Sequence, residues 1–73
     1  MEEHRKNAIS YLRKKAEADL LKAKISFGLL LDEAVGIGDH STGDFHKNLD
    51  ETLDLLVDAT DRLEALAQHY PNV

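Results

Sequence analysis

The chain has 73 residues, no cysteine and a formal net charge of −5. This size allows one structural unit, the missing cysteines remove disulfides as a source of stability, and the negative balance argues against general affinity for nucleic acid, which needs a surplus of Lys and Arg. A single core below roughly 70–80 residues seldom supplies more than about 3–5 kcal/mol, so a partner chain or a metal is the expected supplement.

The first predicted helix covers residues 3 to 35. Starting from Ile9, apolar residues recur at Leu12, Ala16, Leu20, Ala23, Phe27, Leu30 and Ala34, in steps of three and four throughout. That is the period of an amphipathic helix, and no proline interrupts it. Gly28 is the one poor helix former inside it. Either it is a tolerated weak point, or its missing side chain allows a kink or the close approach of another helix. Leu20 to Ile37 is the most apolar stretch, but Lys22, Lys24, Asp32 and Glu33 break it, so a membrane span is not expected. The charged opening, Met1 to Lys6, is not followed by an uninterrupted apolar run, and a cleavable leader is not expected either. With no cysteine to oxidise, the chain suits a cytoplasmic location.

Residues 36 to 41 form the predicted loop. Gly36 and Gly38 suit a helix carboxyl end, and the run through Asp39, His40 and Ser41 is rich in turn formers. Ser41 and Asp44, three residues apart, have the spacing of a capping box, which sets the start of a second helix near Thr42.

The second predicted helix covers residues 42 to 69. Its stripe is Phe45, Leu49, Leu56, Ala59, Leu63, Leu66 and Tyr70, with Thr52 completing an alternation of four and three that approaches a heptad repeat. Pro71 ends it, because proline has no N–H to donate and biases the residue before it away from helical dihedrals.

A loop this short makes the two helices antiparallel neighbours, so the expected fold is an all-α helical hairpin. The sequence carries more apolar surface than one stripe per helix: Leu21, Ile25, Leu29 and Leu31 lie outside the first stripe, and Leu53, Leu55 and Val57 flank the second. Large exposed apolar patches are uncommon on soluble monomers. The expected remedy is a homodimer, two hairpins related by a two-fold axis as a four-helix bundle, with Leu20, Phe27, Leu30, Leu49, Leu56 and Leu63 as the candidate dimer core.

Charge is segregated. Residues 1 to 24 contain seven basic and four acidic side chains, whereas residues 25 to 73 contain ten acidic residues against Lys47 and Arg62. On the second helix Glu51, Asp54, Asp58 and Asp61 share one face at three- and four-residue spacing. These four are the candidate partner-binding residues, and a basic protein is the expected kind of partner. The bland alternative is a solvated face paired with Lys14, Lys15, Lys22 and Lys24 across the hairpin, each pair contributing at most about 1 kcal/mol.

Catalytic readings are poorly supplied. Ser10, Ser26 and Ser41 lack a recognisable elbow or a base and orienter, and no glycine-rich phosphate loop follows a strand. Asp39, His40, Asp44, His46 and Asp50 have metal-binding chemistry, but their spacing fits no recurrent site. Glu51-Thr-Leu-Asp54 resembles the acidic spacing of the all-α nucleotide pyrophosphohydrolases, and that resemblance implies Mg²⁺ held by carboxylates of neighbouring helices. The family's matching pair on the first helix has no counterpart, since Glu17 and Asp19 are two apart and Asp32-Glu33 stands alone. The leading expectation is therefore a non-enzymatic interaction or regulatory protein, without catalytic, cofactor or metal residues. Its rivals are a metal-dependent enzyme assembled across subunits and an acidic decoy of a nucleic-acid-binding protein.

Overall fold

The structure is a computed structural model that describes residues 2–33 and 42–73. The predicted loop at 36–41, the expected end of the first helix near Val35 or Gly36, and the Ser41 half of the capping box lie outside the described residues. Two helices make up the fold, α1 (Glu2–Glu33) and α2 (Thr42–His69), and no strand occurs among the described residues. They pack side by side into a rod of 56 × 15 × 14 Å. The long bond from Arg13 Nη2 to the Tyr70 carbonyl oxygen, 3.5 Å, brings the end of α2 back to the first half of α1, so the pair is antiparallel.

Both helices begin with favourable charge, Glu2 and Glu3 in the first turn of α1 and Asp44 in that of α2, where carboxylates meet the positive end of the helix dipole. Pro71 ends α2. The Tyr70 N–H still donates to the Leu66 carbonyl at 2.8 Å, after which the chain turns and the Val73 N–H donates to the Tyr70 carbonyl at 3.4 Å.

The seam between the helices is closed by alanine. Ala16, Ala23 and Ala59 are 2%, 0% and 1% exposed, and they are the buried apolar residues of the described chain. Ala16 and Ala23 are seven apart on α1, and Ile9 and Leu30 extend the same row in both directions, so one line of contact runs the length of the helix. A methyl side chain at the contact lets the helix axes approach toward the short end of the usual range of about 8–10 Å. The larger seam residues, Leu20, Phe27 and Leu30 on α1 with Leu49, Leu56 and Leu63 on α2, are all half-buried.

Two stripe residues are more exposed than their periodicity suggests. Leu12 is 46% exposed, and Tyr70 is exposed as well. Position 13 falls seven before Leu20, and its arginine is the half-buried residue there, its guanidinium carried to the Tyr70 carbonyl. An arginine can bury its aliphatic stem while its charged head stays at the edge, which suits this half-buried position. Leu55, expected to flank the stripe, is half-buried.

Gly28 sits on the exposed side of α1, and a Cβ built there meets nothing within 4 Å. Within one hairpin it therefore permits no close helix approach.

Candidate functional site

Glu51, Asp54, Asp58 and Asp61 are all exposed, on the side of α2 away from the seam. The placement follows from the helical period: the seam residues Thr52, Leu56, Ala59 and Leu63 turn one face of α2 toward α1, and the acids occupy positions roughly half a turn away. Asp50 and Glu64 are exposed too and extend the negative surface.

No ion pair crosses the hairpin among the described residues. Each pair present joins residues one turn apart on the same helix. Lys15 Nζ meets Asp19 Oδ2 at 3.1 Å, Arg62 Nη2 meets Asp58 Oδ2 at 3.2 Å, and Lys47 Nζ meets Glu51 Oε1 at 3.9 Å. No lysine of α1 pairs with the acidic row among the described residues. Asp54 and Asp61 thus make no ion pair among the described residues, while the two basic residues of α2 each neutralise one neighbour. Side chains in all three pairs are at least a quarter exposed, so each contributes a few tenths of a kcal/mol.

A groove of about 300 Å³ opens beside the seam, lined by Leu12, Lys15 and Ala16 of α1 and Arg62, Ala65 and Leu66 of α2. Its floor is apolar, and both cations at its rim are engaged by carboxylates one turn away. Phe45 and His46 place their rings 6.0 Å apart at the start of α2, with Phe45 half-buried and His46 exposed. Asp39 and His40 lie outside the described residues. Among the described residues no three His, Asp or Glu side chains come close enough together to hold a metal ion.

The six residues read as a dimer core are brought together, but within a single hairpin, where each is half-buried by the other helix. The large apolar side chains left most exposed are different ones. Leu21, Ile25, Leu29 and Leu31 on α1 and Leu53 and Val57 on α2 are each 46% exposed or more. Their signal in the sequence is their position outside the seam period. No described helix is long and apolar enough to cross a membrane. No protein-family model matches the chain, and no curated protein or solved structure matches it.

Proposed function

We propose that this chain is a non-enzymatic interaction protein that works as a homodimer of hairpins, four helices in all, and offers the acidic row of α2 to a basic partner. One observation carries the dimer: the hairpin fully buries no side chain larger than alanine, while nine large apolar side chains stay exposed among the described residues. A half-exposed leucine forgoes about 1 kcal/mol of burial, and the missing burial summed over these residues exceeds the few kcal/mol a lone hairpin of this size supplies. A second hairpin is the smallest addition that supplies part of it. The acidic row supports the partner, because it lies outside the seam and half of its charge, that of Asp54 and Asp61, is uncompensated among the described residues.

Sedimentation at micromolar concentration tests the dimer, and a folded monomer there would refute it. Leu56 is half-buried at the seam, so Leu56→Asp places a charge against α1 and is expected to dissociate and unfold the protein together. For the partner, the combined variant Asp54→Asn, Asp58→Asn and Asp61→Asn is expected to retain helicity and dimerisation while recovering less of a basic partner from the native source. Equal recovery by wild type and variant at low salt would defeat the acidic-row reading. Loss of the dimer in the variant would make the row structural.

A further inference from the structure

The outer side of α1 carries a second apolar row. Leu21, Ile25 and Leu29 follow one another at four-residue steps and are 60%, 57% and 59% exposed. Ala18, three residues before Leu21, is exposed on the same side. Ile25 is two residues from the fully buried Ala23, about 200° round the helix, so the row lies nearly opposite the seam. Among the described residues nothing covers it, since α2 packs on the other side. Charge is ordered along the row: Lys14 and Lys22 lie toward its amino end and Asp32 beyond its carboxyl end, all three exposed. Neither lysine makes an ion pair among the described residues.

We propose that this row is the contact between the two copies, the α1 helices crossing antiparallel with the two-fold axis at Ile25. The inference rests on the homodimer reading and adds its face, direction and register. Antiparallel about Ile25, Leu21 of one copy lies against Leu29 of the other, and the contact is self-complementary as a two-fold axis requires. Asp32 of one copy then falls opposite Ala18 of the other, one turn, about 6 Å, from both Lys14 and Lys22 and within reach of their long side chains. A parallel arrangement sets Lys22 against Lys22 and Asp32 against Asp32. The order of charges therefore selects the antiparallel one. It also explains why α1 carries apolar residues on two opposite sides: α2 packs on one and the second α1 on the other.

The natural sequence has no cysteine, so single introduced thiols report without background. A disulfide requires Cα atoms within about 7 Å. Ile25→Cys is expected to oxidise to a covalent dimer in high yield. Leu21→Cys and Leu29→Cys alone are expected not to, because like positions sit about 12 Å apart along the axis, whereas an equimolar mixture of the two is expected to give the mixed dimer. Ile25→Asp, at an exposed position, is expected to sediment as a monomer with its helix content retained. Homotypic disulfides at both 21 and 29, or a dimer that cross-links through Val57→Cys and not Ile25→Cys, would overturn this contact while leaving the homodimer standing. A wild-type monomer at every concentration tested would overturn both.

Discussion

Enlarging the alanine seam gives the most direct test of the fold. Ala23 is 0% exposed, and Ala16 and Ala59 are almost as closed. Replacing Ala23 with Leu adds three carbons at a point where the other helix already touches. If the helices could separate without loss, burying those carbons would stabilise the chain by about 2 kcal/mol at ~0.8 kcal/mol each. If the seam is closed, overpacking costs about 1–3 kcal/mol instead. The two cases differ in sign. Against a total of about 3–5 kcal/mol for a chain of this size, the expected loss is a large fraction of all the stability there is. With a urea slope near 1 kcal/mol/M, it lowers the unfolding midpoint by about 1–3 M. The assay is urea unfolding followed by circular dichroism at one fixed protein concentration, because association shifts the apparent midpoint. Ala8→Leu, at an exposed position of α1, is the control and should stay within about 0.5 kcal/mol of wild type. A midpoint for Ala23→Leu equal to or above that of wild type would refute the closed seam.

Gly28→Ala should raise stability by roughly 0.5–1 kcal/mol in the same titration, since the added methyl meets nothing within 4 Å and alanine is the better helix former; a lower midpoint would place another backbone against Gly28. Adding KCl to about 1 M should leave the thermal midpoint unchanged or raise it, because the ion pairs present are exposed single-turn pairs and screening relieves repulsion along the acidic row. A fall of several degrees would mean that charge holds the hairpin together.

The helical fold was legible because propensity, period and stop signals agree. Pro71 marks the end of α2, and the heptad spacing of Leu49, Leu56 and Leu63 marks its seam. Leu12 lines the groove beside the seam but is more exposed than its place in the stripe suggests, for a reason that period alone does not resolve. Positions 12 and 13 are three and four residues from Ile9, so both satisfy a helical step, and hydrophobicity favours the leucine. How deeply each is buried against α2 depends on how the two helices are rotated against each other, a tertiary quantity. The seven-residue rows 9, 16, 23, 30 and 13, 20, 27 contain that information, but the second becomes visible only once an arginine is accepted in a seam. The acidic face was legible as a row, while its ion pairing was not. A lysine can be matched to an acid one turn away or across the hairpin from sequence alone, and only the rotation of the two helices decides between them.

The two helices divide their information differently, and that division governs what a substitution can reveal. On α2 the seam and the acids occupy opposite sides. Like charges one turn apart repel by a few tenths of a kcal/mol, and only Glu51 and Asp58 of the four are offset by a pair on their own helix. Removing the row therefore takes little from folding, so substitutions there can report on binding without disturbing the hairpin. On α1 the seam and the outer leucines also occupy opposite sides, but here both are apolar, so the helix looks evenly greasy and its amphipathic signal is blurred. A leucine at Leu21, Ile25 or Leu29 adds nothing to the hairpin that a lysine would not, and in a monomer it invites aggregation. The cost is removed only when that side is covered, so changes at Ile25 should act on assembly and leave the hairpin intact, whereas changes at Ala23, two residues away, should act on the hairpin itself.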